Sequence, residues 1–484
     1  MKQFVQFLFS VSLLLNVLNA FAQEVIAKNG SYGIDKENRV IVWHTSNLDS
    51  LTSVNEKITS IKFDASFTLV NSKKQLSYSN INVVKGKEAY TLYISKLPLV
   101  HITIDTTTIN NQYKRPGYFT LFSDTEYIKS TIGVRHRGNL SLSFPKKSFD
   151  IEFWTDSISK QKKDVKFKGM RSDDDWILDG LYNEPLRLRS YISTKLWNKI
   201  HSPYYAKKEP NAKSGFDVEF VEVFKNNSYY GLYQLSESVD RKQLKLKKNK
   251  ANIIHGELYK AHSYKGGPGF TKSPAEYNNI FPHWNGWKTE YPFIDYTSDF
   301  SNLSAFTNLV VHASDKDFSQ RIETNIHIEN AIDYYLMVNI IRASDNMGKN
   351  YYLGKYDILE PYFFVPWDLD GVMGIIQDGK RERGVNQILS NGLFDRLLEN
   401  NPNEYKAKMK SRWFTLRENA FSKEALLGSI TKIYDRFTVE KIYEREQLIW
   451  INKLNDLPNT DHYEYLENWI EERLTNLDEY FKSL

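Results

Sequence analysis

The chain has 484 residues, of which 41% are hydrophobic and 25% are charged, and its formal net charge is +5. This composition is typical of a globular protein with real cores, and so small a charge for this length gives no reason to expect a nucleic-acid partner. The chain contains no cysteine, which excludes structural disulfides, thiolate zinc sites and thiol nucleophiles.

The first 22 residues match the pattern of a secretory signal peptide. Lys2 gives the segment its positive start, residues 7–18 are a short and mostly apolar run, and Ala20 and Ala22 fit the small-x-small pattern that precedes cleavage. We therefore expect residues 1–22 to be removed and the protein to be exported to the periplasm, the cell surface or the medium. The alternative is a retained N-terminal anchor helix; no later stretch is apolar enough to cross a membrane.

Residues 23–95 are predicted to form a small β-sandwich-like module. Runs of β-branched and aromatic residues at 40–43 and 89–94 are typical of short strands. Turn residues such as Asn29-Gly30 and Asn71-Ser72 lie between such runs. No residue pattern in this module indicates chemistry.

Residues 96–240 are predicted to form a strand-rich lobe that contains one helix. Asn183 fits an N-cap and Pro185 fits the first turn of a helix, and an apolar stripe follows at helical spacing. A hairpin is expected around Asn226-Asn227, because both are typical turn residues. The stripe consists of Leu188, Ile192, Leu196 and Ile200.

Residues 241–484 are predicted to form a mainly helical lobe. Asn330 fits the N-cap of an amphipathic helix that leads the chain into Asp345. The apolar runs at 351–353 and 362–365 predict a hairpin, and several amphipathic helices follow it. The sequence therefore predicts an α+β protein with an all-β module at its N-terminus and helices at its C-terminus.

Two acidic motifs flank this last hairpin. Asp345 is followed five residues later by Asn350, and Asp368 comes shortly after the second strand. Protein kinases use the same order for a proton-accepting Asp, a metal-binding Asn and a metal-binding Asp, and Mg²⁺ prefers such oxygen ligands. The chain lacks the glycine-rich loop of ordinary kinases, and Asp370 stands where a glycine usually follows the metal-binding Asp. The alternative for these residues is turn formation.

Four stretches of the chain resemble segments of the CotH family of spore-coat-protein-H-like kinases and follow one another in the order found in that family. Together they span roughly residues 97–420 and leave out the N-terminal module. The stretches are 134–141 with 145–149, 176–178 with 188–189, 220–224 with 230–233 and Glu237, and 344–353 with 366–370.

The resemblance implies a divergent protein-kinase-like bilobal fold that binds ATP with Mg²⁺ or Mn²⁺. It also implies transfer of the γ-phosphate to Ser or Thr of a protein substrate, which for an exported enzyme is itself an exported protein. Asp345 would be the catalytic base, Asn350 and Asp368 would hold the metal, and Asp370 would take a second or bridging position.

A lysine on a strand of the first lobe is expected to contact the ATP phosphates, as the strand lysine of kinases does. Lys146 and Lys147 are the two candidates. Lys147 is preferred, because it shares a strand face with the apolar residues Phe149 and Ile151 and should therefore point inward.

Other charged residues are expected to complete the nucleotide site. Arg135, Arg137 and Asn139 would cover the phosphates in place of glycines, because arginine suits bidentate phosphate contact; the alternative is a charged strand edge that blocks aggregation. Glu237, at a strand end, would lie near the adenine or face solvent. Glu184 would orient the lysine, or it would only stabilise the start of its helix through the dipole.

The leading hypothesis is therefore an exported, metal-dependent protein kinase with an exported protein as substrate, no nucleic-acid partner and no transmembrane segment after signal cleavage. One rival is a non-catalytic coat, adhesion or assembly protein that keeps the fold. The other is a secreted metal-dependent protein that acts on or binds carbohydrate through the acidic residues.

Overall fold

The computed structural model describes residues 23–48, 58–71, 76–105, 109–250, 253–264, 266–271, 281–293, 299–450 and 457–484. The predicted signal peptide lies outside these residues, as does Ser72 of one predicted turn. No helix in the described ranges is both long and apolar enough to cross a membrane.

The first seven strands form one sheet with the order β1-β4-β5-β6-β7-β3-β2. Strand β3 is buried along its whole length, because it has a core on each side. Ile41 and Trp43 belong to the core of the sheet itself, whereas Val40 and Val42 pack with residues of the following part of the chain. The strands are β1 (Gln23–Ile26), β2 (Tyr32–Asp35), β3 (Val40–His44), β4 (Ile58–Lys62), β5 (Ser66–Leu69), β6 (Asn80–Lys85) and β7 (Glu88–Ser95).

Seven further strands close into a barrel with the order β10-β11-β14-β16-β15-β8-β9. The barrel interior is filled by apolar side chains, among them Val134, Phe149, Ile151 and Phe153, as expected for a small barrel. The barrel strands are β8 (Leu99–Thr103), β9 (Arg115–Phe122), β10 (Tyr127–Arg137), β11 (Ser148–Trp154), β14 (Asp175–Asp179), β15 (Val218–Lys225) and β16 (Ser228–Glu237), and a separate pair is β12 (Val165–Lys166) with β13 (Ser172–Asp173).

Local turn chemistry explains the β15–β16 hairpin. Asn226 and Asn227 both have positive φ angles, 49° and 65°, which asparagine tolerates better than most residues and which match the twist of a two-residue hairpin. The predicted hairpin is therefore confirmed.

Helix α1 (Arg189–Ile200) lies between the barrel strands β14 and β15. Its predicted apolar stripe is buried, but the predicted N-cap is wrong. Asn183 lies six residues before the helix, and the Glu184 carboxylate instead accepts hydrogen bonds from the backbone N–H groups of Leu188 and Arg189. Glu184 thus satisfies donors at the helix start that would otherwise be unpaired.

The rest of the described chain combines helices with a five-stranded sheet of order β18-β19-β17-β20-β21. Its strands are β17 (Glu257–Ala261), β18 (His283–Trp284), β19 (Trp287–Tyr291), β20 (Tyr351–Lys355) and β21 (Tyr362–Pro366). The helices are α2 (Arg241–Leu244), α3 (Ser301–His312), α4 (Asp315–Asn325), α5 (Ile328–Ile341), α6 (Gly392–Asn400), α7 (Tyr405–Arg417), α8 (Lys423–Val439), α9 (Ile442–Ile449) and α10 (Asn459–Ser483). The predicted hairpin between the acidic motifs is β20–β21.

Helix α5 is buried on nearly all sides, because it runs through the largest hydrophobic core. Its N-cap is His327 and not Asn330. Asn330 lies in the first turn, where its side chain bonds the backbone of Phe364 in β21. The fold is α+β, as predicted, with an all-β N-terminal part and C-terminal helices; the predicted domain boundaries stay predictions.

Candidate functional site

A cleft lies between one end of the barrel and the segments that follow α5 and β21. The β10–β11 connection and the end of β14 form one wall, and the turns around residues 345–350 and 368–370 form the other. The cavity has a volume of about 110 Å³. Of the residues singled out from the sequence, those that line it are Arg137, Asn139, Lys146, Asp345, Asn350, Asp368 and Asp370.

The two acidic motifs meet because the β20–β21 hairpin brings its own ends together. The backbone N–H of Trp367 donates to the Asn350 carbonyl over 3.1 Å. The buried Asn346 side chain donates to the carbonyls of Asn350 and Trp367 over 2.6 Å and 3.0 Å. Arg342 ends helix α5 in the left-handed conformation, with φ of 53°, and the chain then turns so that Asp345 faces the cleft.

Asp345 has one hydrogen-bond donor on each carboxylate oxygen. The hydroxyl of Tyr264 donates to Oδ1 over 2.5 Å, and the amide of Asn350 lies 3.4 Å from Oδ2. Burial, with the neighbouring Asp345 charge, raises the pKa of Tyr264, so Tyr264 remains a donor. No residue pattern marks Tyr264, because it lies in an irregular segment far from the acidic motifs.

Asp368 and Asp370 lie close enough for their charges to repel each other. Burial and the charge of Asp179 raise the pKa of Asp368, although the Arg137 charge opposes them. Burial and the Asp368 charge raise the pKa of Asp370 well above its usual range, although the Asn183 amide donates to it over 2.8 Å. The Asp368 side chain is exposed towards the cleft. A divalent cation would relieve this repulsion.

Asp179 is a further carboxylate of the cleft that the sequence reasoning missed. It ends β14 and accepts hydrogen bonds from the Ser148 hydroxyl (3.1 Å) and from the Leu181 N–H (3.2 Å). The available signal was its position directly after residues 176–178, one of the stretches that resemble CotH kinases.

Of the two candidate lysines, Lys146 lines the cleft and Lys147 does not. Lys146 is 1% exposed, and its Nζ donates to the Leu232 carbonyl (2.6 Å) and to both carboxylate oxygens of Glu446 (2.8 Å and 3.0 Å). Burial lowers the pKa of Lys146 to about 8, even though the Glu446 charge opposes the shift.

The preference for Lys147 as the inward-pointing residue is therefore wrong. Lys147 donates to the Leu142 carbonyl over 2.6 Å and does not line the cleft. Strand β11 begins only at Ser148, so strand alternation does not extend back to Lys147. Phe149, moreover, faces the filled barrel interior, while the cleft lies on the opposite side, which Ser148 faces.

Glu446 comes from helix α9 and lies 300 residues from its lysine partner. It also accepts from the Leu232 N–H over 2.6 Å. This approach requires a glycine at position 231, because a Cβ there would lie 1.8 Å from Glu446 Oε1 and φ is +93°. No local pattern marks Glu446, and the predicted orienting role of Glu184 is wrong, since Glu184 binds the start of α1 and pairs with Arg189.

The two arginines predicted to contact the phosphates lie in different places. The Arg137 guanidinium lies 5.9 Å from the Trp367 ring centre and acts on Asp368 by its charge. Arg135 pairs with Asp150, directly opposite on β11, over 2.7 Å, and does not line the cleft. Asn139 lies in the turn that follows β10 and does line it.

Glu237 is neither in the cleft nor facing solvent. It is completely buried at the end of β16 and accepts from the backbone of Arg171 and Asp217 and from the side chains of Lys213 and Gln243, over 2.6 to 2.9 Å. Four donors on one buried carboxylate indicate that Glu237 holds the segment that leaves the barrel.

The oxygen ligands of the cleft suit a hard cation such as Mg²⁺ or Mn²⁺. Among the described residues, the groups of three acidic side chains whose ligand atoms all lie within 4.8 Å of one another are Glu152 with Asp174 and Asp175, and Asp164 with Asp173 and Asp174. Both lie outside the cleft, and Lys162 pairs with Asp174 over 2.8 Å. A metal in the cleft would therefore draw part of its ligands from phosphate oxygens.

A family model described as CotH kinase protein matches residues 134–477. The match covers most of the chain and includes every cleft-lining residue named above, from the end of β10 onward. It does not include the N-terminal sheet. Among curated proteins, none matches the chain.

Proposed function

The chain belongs to the CotH kinase family, and we propose that it is an exported atypical protein kinase that transfers the γ-phosphate of ATP to Ser or Thr of surface or secreted proteins. We propose further that the barrel and the helical part act as the two lobes of a kinase-like fold, with Mg²⁺ or Mn²⁺ between them. The observation that carries the proposal is the convergence of Lys146, Arg137 and four carboxylates on one cleft.

Asp368, Asp370 and Asn350 would hold the metal ion, whose chemistry is to neutralise phosphate charge. The support is electrostatic: burial raises the pKa values of both aspartates, and the charge of Asp179 adds to the shift of Asp368 while the charge of Asp368 adds to that of Asp370, so each favours a nearby positive charge. Arg137 lies on the opposite wall, where its fork of N–H groups can contact phosphate oxygens.

Lys146 would contact the phosphates, and Glu446 would hold it in place. Kinases use an ion pair between a strand lysine and a helix glutamate for this purpose. Here the glutamate is supplied by α9, near the C-terminal end of the chain.

Asp345 would accept the proton of the acceptor hydroxyl while that oxygen bonds to the γ-phosphorus and the bond to the leaving ADP oxygen breaks. The Tyr264 and Asn350 side chains fix the carboxylate. A positioned carboxylate suffices for this step, because positioning and charge neutralisation dominate phosphoryl transfer.

The cavity of about 110 Å³ is smaller than the roughly 300–1,000 Å³ of small-molecule sites. We therefore propose that the two walls move apart when ATP binds.

The test is a transfer assay with purified mature chain, γ-labelled ATP, a protein acceptor and Mg²⁺ or Mn²⁺. Label is expected on protein and is expected to be lost in Asp345→Asn and Asp368→Asn. The matched control is Asp156→Asn, which changes an exposed turn residue of the barrel. Label on carbohydrate would favour the carbohydrate-active rival, and nucleotide binding without transfer would favour the non-catalytic rival.

Export is a separate part of the proposal and has its own test. Cell fractionation and N-terminal sequencing of the mature protein are expected to give an exported chain that begins at Gln23. An intact N-terminus in the cytoplasmic fraction would refute export without affecting the proposed chemistry.

A further inference from the structure

Three consecutive residues of helix α9 contact three different parts of the molecule. Glu444 binds the N-terminal sheet, Arg445 binds the barrel, and Glu446 binds the cleft lysine, Lys146. Successive residues of a helix point about 100° apart, at 3.6 residues per turn. The helix therefore connects all three parts through side chains that cannot move independently.

The contact with the N-terminal sheet is built from hydrogen bonds to the charged carboxylate of Glu444. The Tyr93 hydroxyl of β7 donates to Glu444 over 3.0 Å, and the Asn80 amide of β6 donates to the same oxygen over 2.7 Å. Tyr93 is 1% exposed, and its ring also lies 5.5 Å from the Arg445 guanidinium carbon.

The turn before α9 is held by the same sheet. Glu440 is buried and accepts from the Ser95 hydroxyl over 2.8 Å and from the Lys96 backbone N–H over 3.0 Å. Ser95 ends strand β7. The sheet thus binds both the start and the first turn of the helix.

The contact with the barrel is a completely buried ion pair between Arg445 and Glu222 of β15. The Tyr229 hydroxyl donates to the other Glu222 oxygen over 2.5 Å. Removal of one member of such a pair leaves an uncompensated buried charge, which is strongly unfavourable. Helix α9 is therefore held against the barrel, and contacts outside the cleft help to place Glu446.

We propose that the N-terminal sheet positions Lys146 by way of helix α9, so that the sheet is a working part of the phosphate site although it lies outside the family match. Tyr93, Ser95 and Glu444 are positioning residues, since none of them lines the cleft. The catalytic consequence rests on the proposed kinase function, whereas the mechanical coupling does not.

The test compares Tyr93→Phe with Tyr90→Phe in the full mature chain. Both variants remove one tyrosine hydroxyl from β7, but the Tyr90 hydroxyl bonds Arg39 and Glu88 within the sheet and not α9. The first measurement is the rate at which an amine-acylating reagent modifies Lys146 at pH 8 without nucleotide, followed by mass spectrometry. Lys147, on the same peptide, serves as the internal reference.

Tyr93→Phe is expected to raise the modification rate of Lys146 at least about fivefold, the lower end of typical coupling between sites, and to leave Lys147 unchanged. It is also expected to lower kcat for phosphotransfer by a similar factor with a smaller change in KM for ATP, because positioning acts in the transition state. Tyr90→Phe is expected to match the wild type in both measurements.

Equal Lys146 modification in the two variants would overturn the proposal. Faster modification of Lys146 in Tyr93→Phe, in a protein that transfers no phosphate, would support the coupling and contradict the kinase function instead. If Tyr93→Phe does not fold by circular dichroism, Asn80→Ser removes the other donor to Glu444 at a more exposed position, and the same comparison decides.

Discussion

The buried Lys146 gives the free energy of unfolding a specific pH dependence. Burial lowers the pKa of this lysine from 10.5 to about 8 in the folded chain. Between these two values the unfolded chain binds more protons than the folded one, so the free energy of unfolding rises with pH. Lys146→Met removes this titration and keeps a long apolar side chain in the same space.

The magnitude follows from the gap between the two pKa values. The gap corresponds to about 3 kcal/mol in full, of which about 2 kcal/mol falls between pH 7 and pH 9.5. The free energy of unfolding of the wild type minus that of Lys146→Met is therefore expected to become more positive by about 2 kcal/mol over that interval. Titrations of groups that do not contact Lys146 cancel in the difference, and Glu446 keeps Arg187 as a cationic neighbour in Lys146→Met.

The assay is urea unfolding followed by tryptophan fluorescence at several pH values from 7 to 9.5. The matched control is Lys147→Met, which removes the neighbouring lysine and leaves the Lys146–Glu446 ion pair in place. A difference between wild type and Lys146→Met that stays constant with pH would show that burial does not outweigh the charge of Glu446, and would refute the lowered pKa of Lys146.

Three further outcomes are expected. Gly231→Ala places a Cβ 1.8 Å from the Glu446 carboxylate at a φ of +93°, so it should lower the free energy of unfolding by more than about 2 kcal/mol. The control is Gly428→Ala in helix α8, where the added Cβ meets open space and should raise the free energy of unfolding by about 0.5 kcal/mol. Thermal unfolding of both variants checks this. In EDTA, Asp370→Asn should be more stable than wild type at pH 7, and this difference in stability should shrink towards pH 4. The reason is the raised pKa of Asp370, because of which ionisation of this residue costs stability as the pH rises. Calorimetry checks this, and added Mn²⁺ should stabilise only the wild type. Glu237→Gln should cost about 2 kcal/mol of stability and leave the KM for ATP unchanged, which unfolding and steady-state kinetics measure together.

The acidic side of the cleft could be predicted because it is local. Asp345 and Asp368 flank one hairpin, and the two ends of a hairpin meet wherever it lies in the fold. Hairpin turns are also marked by residue type, as Asn226 and Asn227 illustrate with their positive φ angles. Neither inference needed knowledge of the rest of the chain.

The choice between the two lysines needed the strand boundary, which residue patterns give poorly. A shift of one residue moves every side chain to the opposite face of a strand. Because β11 begins at Ser148, the apolar neighbours of Lys147 along the sequence indicate the barrel interior and say nothing about the cleft. The partner of Lys146, 300 residues away, depends on how a C-terminal helix packs on the barrel.

Polar residues near helix starts were misassigned for a related reason. Asn183 bonds Asp370 across the cleft, and Asn330 bonds the backbone of β21. Asparagine often caps helices, but the side-chain amides of these two residues bond groups elsewhere in the fold. The helix starts are satisfied instead by Glu184 and by His327, so the local prediction was right about a helix and wrong about its first residue.

The distribution of buried charge is itself an argument for function. A buried ion pair contributes little to stability, and apolar residues of similar volume often serve a fold equally well. Repelling carboxylates lower stability outright, as the raised pKa values of Asp368 and Asp370 indicate. This chain has the Lys146–Glu446 pair on one wall of a cleft and the carboxylates on the other. A metal-bound polyphosphate would satisfy both walls at once, since its cation faces the carboxylates and its oxygens face the lysine and the arginine. The stability lost without such a ligand is what makes binding it favourable.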